Sequence, residues 1–149
     1  MNGRALAWIV LAACESGSPG SPIVLENVGR VCLHGDPLRS GPQTFAADTP
    51  VNLVYNSSEE CLSSSCTTDR SASCTAASQS GVVEVASVVT WRDISAQQGN
   101  ACTQDCLTLG AQGATAALPA GTYELRFGAG RLALAIPSQH PDPPCIDAR

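Results

Sequence analysis

Five of the eight cysteines in this chain fall between positions 61 and 106, spaced as Cys61-x4-Cys66-x7-Cys74 and then Cys102-x3-Cys106. The first three anchor a segment made of Ser, Thr, Ala and Cys, with too few large apolar side chains to bury itself by packing. Such a segment keeps a fixed shape only if it is cross-linked. The rest of the chain has little mass to lend it. Aromatic residues make up only 4% of the 149 residues, so the 44% that are hydrophobic are largely Ala, Val and Leu, a thin core of small side chains. The length allows one domain of ordinary size and not two. A small, disulfide-stapled β domain is the expectation these numbers set.

The amino terminus bears on the compartment. One positive residue, Arg4, precedes an apolar run from Ala5 to Ala13, and Cys14 follows. The run is far shorter than the roughly 20 residues of a membrane-spanning helix, and it reads as the hydrophobic part of an export signal. Leu11-Ala12-Ala13-Cys14 resembles the lipobox of bacterial lipoproteins. The resemblance implies that Cys14 is acylated, becomes the first mature residue and ties the protein to a membrane through its lipid. Glu15-Ser-Gly-Ser-Pro-Gly-Ser-Pro22 is then a flexible linker. Glu15 is not the aspartate that resembles an inner-membrane retention signal, which favours the outer membrane or the cell surface. The expected divisions are a signal at 1–13, lipidated Cys14 and linker at 14–22, a β domain at 23–138 and a proline-rich tail at 139–149.

Strand signals recur along the domain. Ile23, Leu25, Val28, Val31 and Leu33 are apolar, but Asn27-Val28-Gly29 breaks the alternation and predicts a bulged strand or two short ones. Val51, Leu53 and Tyr55 share one face of a half-buried strand. Between Gly81 and Trp91, positions Val83, Val85, Val89 and Trp91 form the heaviest apolar face, which predicts the central strand of a sheet, and a short strand is expected near Leu107 to Leu109. Tyr123, Leu125 and Phe127 alternate against Thr122, Glu124 and Arg126. After Gly128-Ala-Gly130, Leu132, Leu134 and Ile136 do the same, so this is a hairpin. The lead-in Leu118-Pro-Ala-Gly-Thr-Tyr123 is similar to that of the penultimate strand in bacterial immunoglobulin-like and fibronectin-like sandwiches, where the tyrosine bonds back to a corner. No stretch shows sustained helical periodicity. The fold class expected is all-β, a small antiparallel immunoglobulin-like sandwich stapled by disulfides.

If Cys14 carries lipid, seven cysteines remain, and an odd number cannot all pair internally. Any of the seven can be the orphan, and the other six then allow fifteen connectivities. Cys32 closes the first apolar region and Cys145 lies in the proline-rich tail, so a Cys32–Cys145 bridge pinning both ends is favoured. Cys61, Cys66, Cys74 and Cys102 complete the disulfide candidates, and Cys106 is the candidate free thiol. The spacing from Cys61 to Cys74, followed by Ala101-Cys-Thr-x-Asp-Cys106, resembles a pattern in small cysteine-rich secreted proteins and lipoproteins of myxobacteria. The resemblance spans about residues 50 to 136 and includes the final hairpin. The pattern has a further cysteine shortly before that hairpin, whereas Ala114 to Ala117 has none, and this departure leaves the count odd. It implies a fold and a compartment, and no activity.

Charge and motifs narrow the function classes. All eight basic residues are arginines spread singly along a chain of formal charge −5, so no basic stripe neutralises phosphates and nucleic acid is not an expected partner. Cys61, Cys66, Cys102 and Cys106 can be imagined as a four-thiolate zinc site, but the x4 and x3 spacings are not Cys-x2-Cys knuckles and export implies an oxidising space. No metal or other cofactor is expected. His34 and His140 read as histidines in loops rich in Gly and Pro, and Glu59-Glu60 as solvated charge. No Gly-x-Ser-x-Gly, His-Glu-x-x-His or phosphate loop is present, and no catalytic residue is assigned. Two functions remain: a lipid-anchored binding or adhesion module for an envelope protein or glycan, and a passive envelope structural protein. An exposed aromatic cluster or deep loop pocket favours the first, and a buried Trp91 on a smooth polar surface favours the second. A hydrolytic enzyme ranks third.

Overall fold

The computed structural model describes residues 20–36, 38–57, 61–97, 99 and 101–148. The lipobox, Cys14 and Glu59-Glu60 lie outside the described residues. Within them the chain is all-β: β1 (Ile23–Glu26), β2 (Arg30–His34), β3 (Gln43–Phe45), β4 (Thr49–Asn56), β5 (Thr67–Gln79), β6 (Val82–Asp93), β7 (Gly110–Leu118), β8 (Gly121–Phe127), β9 (Gly130–Ile136), β10 (Ser138–His140) and β11 (Cys145–Asp147).

Two main sheets face each other across one core. In the first, β6 is central, as its valine-rich face predicts. β5 runs antiparallel along its whole length, while β1 pairs with Val88 to Trp91 and β8 with Val82 to Val85. β9 completes this sheet outside β8. The second sheet has the order β11-β2-β4-β7, and β10 with β3 makes a small third one. The β6–β8 pairing is parallel, a departure from the all-antiparallel expectation. It arises because the chain leaves β6, crosses to the second sheet as β7, and returns in the direction in which it left.

The break at Asn27-Val28-Gly29 produces two strands in different sheets, and it needs unusual backbone there. Asn27 and Gly29 have φ of 52° and 85°, and any side chain at Gly29 would overlap the Asn56 carbonyl. Alternation then sorts the side chains. Val31, Leu33, Val51, Leu53 and Tyr55 point inward from the second sheet, and Val83, Val85, Val89, Trp91, Leu125, Phe127, Leu134 and Ile136 from the first. Tyr55 meets Phe127 edge-on at 6.2 Å between ring centroids, joining the two layers. The corner tyrosine is also in place, its hydroxyl donating to the Pro119 carbonyl at 2.8 Å.

Five strands, β3, β5, β7, β10 and β11, have no counterpart in the expected ones. β5 occupies most of the segment that looked too poor in apolar mass to order itself, and β7 consists of Gly, Ala, Thr and Gln with one leucine. The proline-rich tail contributes β10 and β11, with Ile146 of β11 buried in the core.

Candidate functional site

Six cysteines form three disulfides: Cys32–Cys145, Cys61–Cys106 and Cys66–Cys102. Cys106 is therefore not the free thiol. Among the described residues the unpaired cysteine is Cys74, which is buried. The reason is the alternation of β5. Cys74 pairs in register with Ser87 of β6 and points into the core with it, whereas Cys61 and Cys106 sit on loops that the Leu62–Leu107 bridge holds side by side. Cys32 and Cys145 are direct register partners of β2 and β11. The four sulfurs of Cys61, Cys66, Cys102 and Cys106 are thus committed to two S–S bonds. Cys74 is only 7% exposed, so it is not placed to form a disulfide with another chain.

The Cys61–Cys106 and Cys66–Cys102 bonds staple two loops at one end of the sandwich into a polar surface. Leu62 and Leu107 exchange backbone hydrogen bonds of 3.2 and 2.8 Å, and the Ile94 amide donates to the Cys66 carbonyl at 2.9 Å. Below them, the buried Ser57 hydroxyl accepts from the Leu109 amide at 3.0 Å. On this frame the Thr103 amide donates to Ser65 Oγ at 2.8 Å, the Ser64 amide donates to the Asp105 carboxylate at 3.1 Å, and the Thr103 hydroxyl donates to the same carboxylate. Bonds from Ser64 and Thr103 favour the ionised form and hold the Asp105 carboxyl down to about 2. Asp93 is lowered for the same kind of reason, chiefly by the Ser95 amide at 2.8 Å. Ser63, Thr67, Asp93 and Ser95 line a cleft of about 200 Å³ together with Leu62 and Trp91. Chemically this is a rigid set of hydroxyl donors and ionised acceptors, suited to hydrogen-bonding a polar partner.

The sequence reading singled out the cysteines here and passed over Ser63, Ser64, Ser65, Thr103 and Asp105. The available signal was their bracketing: each lies inside Cys61-x4-Cys66 or Cys102-x3-Cys106. The two histidines fall elsewhere. His140 on β10 packs its ring against Phe45 at 5.6 Å, and His34 Nδ1 on β2 is buried without a hydrogen-bond partner. Trp91 is 5% exposed and belongs to the core.

Between the sheets lies a second polar feature. Tyr55, Ser87 and Cys74 are 1%, 2% and 7% exposed. Burial raises the Tyr55 phenol, a side-chain hydrogen bond with Ser87 partly offsets the rise, and Cys74 adds to it, so the three groups converge. Burial also raises the Cys74 thiol. Compared with protein-family models, curated proteins and solved structures, the chain matches none. Three disulfides belong to an oxidising, extracytoplasmic environment.

Proposed function

We propose that this protein is a lipid-anchored extracytoplasmic binding or adhesion module of the bacterial outer membrane or cell surface, held there through acylated Cys14. Its contact surface is the stapled end of the sandwich. The observation that carries the reading is the network of Ser64, Ser65, Thr103 and Asp105, fixed by two disulfides beside the Asp93 cleft. Preorganised hydroxyls and carboxylates lose little entropy on binding and match the hydroxyl-rich surface of a glycan. An envelope protein presenting polar loops is the other partner of this kind. No enzymatic activity is assigned.

A passive envelope role is the second reading, and the burial of Trp91 favours it, since the large aromatic that could anchor a ligand serves the core instead. The two are separated by screening the purified protein against envelope polysaccharides. Binding that falls at least tenfold in Asp93→Asn and Asp105→Asn supports the module. Equal, negligible retention of wild type and variants supports the passive role. Mass spectrometry of the native protein tests the anchor separately and is expected to find diacylglyceryl or triacylated Cys14. An unmodified amino terminus downstream of it removes that part of the proposal.

A further inference from the structure

We infer that the stapled end of the sandwich faces the membrane that carries its own anchor, and that its polar cleft takes the neutral carbohydrate headgroup of a glycolipid in that membrane. The inference rests on the lipid-anchored binding role proposed above, and adds to it where the partner lies and to what class it belongs.

The point at which the chain enters the domain carries the argument. Ile23 opens β1 opposite Trp91, and the Arg92 guanidinium donates to the Gly20 carbonyl at 3.0 Å. A Cβ on Gly20 would come 2.9 Å from the Asp93 carbonyl oxygen, so the backbone there lies against a residue that lines the cleft. Arg92 is itself held by the Asp69 carboxylate at 2.7 Å, which ties the entry point to β5 as well as β6. Only six residues, Glu15 to Gly20, lead from Cys14 to this point. Even fully extended, they reach no more than about 22 Å.

The body of the domain is longer than that tether. β6 runs from the Ser80–Gly81 turn to Asp93, and its 12 residues extend about 36 Å. With the tether fixed beside Asp93, turning the stapled end outward would drive the Ser80–Gly81 turn into the bilayer. The cleft therefore stays within the tether's reach of the lipid headgroups. The groups around it suit sugar hydroxyls and not phosphates. Asp93 and Asp105 are held below the usual carboxylate range, so both are ionised acceptors that repel an anionic headgroup, and the Ser63 and Ser95 hydroxyls add neutral donors. Arg92, the cation beside them, is committed to Asp69 and Gly20. A partner in the same membrane is met at the high effective concentration that tethering gives, which offsets the weak intrinsic affinity of a shallow cleft.

The full acylated chain in phosphatidylcholine nanodiscs tests both parts by NMR. With a spin-labelled headgroup in the disc, the Ser64 and Thr103 amide signals should broaden while those of Ser80 and Gly81 stay sharp. Equal broadening, or broadening confined to Ser80 and Gly81, overturns the orientation. With the neutral glycolipid fraction of a bacterial outer membrane in the disc, the Ser64 and Thr103 amides should shift, and Asp93→Asn with Asp105→Asn should weaken that interaction by about tenfold. The same carbohydrate cleaved from its lipid, added at matched concentration to glycolipid-free discs, should shift these amides only weakly. An equal shift assigns the cleft to free glycan and overturns the inference, as does no shift in either disc. If polysaccharide binding persists while these tests fail, the placement alone is wrong. An unacylated Cys14, or loss of all polysaccharide binding, defeats the earlier reading instead.

Discussion

Cys74 shows how one side chain is set by the strand that carries it. It is the thiol left over when six cysteines pair, and the inward position on β5 keeps it from oxidants and from other chains. Because burial raises its pKa, the folded protein holds the proton more tightly than the unfolded chain. The sign follows from linkage: this contribution is fully present below the unfolded thiol value of about 8.5 and declines as pH rises above it. Urea unfolding measured between pH 7 and 10 should show stability falling above about pH 8.5, with a flatter profile in Cys74→Ala. Equal slopes in the two proteins would remove Cys74 as the source. Asp105 behaves in the opposite sense. Its carboxyl is lowered to about 2, so whatever it contributes is present above the ordinary carboxylate range and is lost as pH falls toward 2. It is fully exposed, so the observable is the titration itself. Carboxyl carbon NMR should place its midpoint near 2, and Thr103→Val should move that midpoint upward. No movement would mean that the Thr103 hydroxyl does not hold the charge.

Among the elements, legibility tracks side-chain size. β4, β6, β8 and β9 were readable because large apolar residues alternate with polar ones, and Val83, Val85, Leu125 and Leu134 are all buried as that alternation requires. β5 and β7 were not, because their inward positions are Ala72, Cys74, Ala76, Gly113 and Thr115, which carry almost no hydrophobic signal. Small residues there serve close approach. Gly113 lies so near β5 that an added Cβ would overlap the Cys74 carbonyl oxygen and sit 3.6 Å from the Cys74 Cβ. The missing bulk that hid these strands from a periodicity reading is what lets the edges of the two sheets meet. The candidate site was half legible for a related reason. Cysteine spacing marked the loops, but the hydroxyl network depends on cross-loop pairs about 40 positions apart, such as Ser64 with Asp105. A direct test is Gly113→Ala, which must push backbone away from backbone. It should cost about 1–3 kcal/mol in urea unfolding, and a neutral result would mean the sheets separate there without penalty.

At the scale of the molecule, stability is divided between a thin core and three covalent ties that act on different regions. Cys61–Cys106 and Cys66–Cys102 close nested loops of similar length, so once one has formed the other removes less chain entropy. Cys32–Cys145 spans 113 positions and alone joins the carboxyl-terminal strand to the front of the fold. In the chain-entropy account it contributes about 5 kcal/mol, a large share of the total for a domain of this size. What it protects is specific. β11 lies at the outer edge of its sheet beside β2, brings Ile146 into the core, and is also held by three register pairs, the flanking Leu33–Pro144 and Ala148–Gly29 backbone hydrogen bonds of 2.9 Å, and an exposed Arg30–Asp147 ion pair at 2.7 Å. An exposed pair of that kind adds little. Replacing both Cys32 and Cys145 with serine should therefore lower stability by about 4–5 kcal/mol and loosen β11 before the rest of the sandwich. Limited proteolysis of the double variant should release a fragment cut after β9 while the stapled loops stay intact. Simultaneous loss of both ends would show instead that β11 and the remaining strands unfold as one cooperative unit.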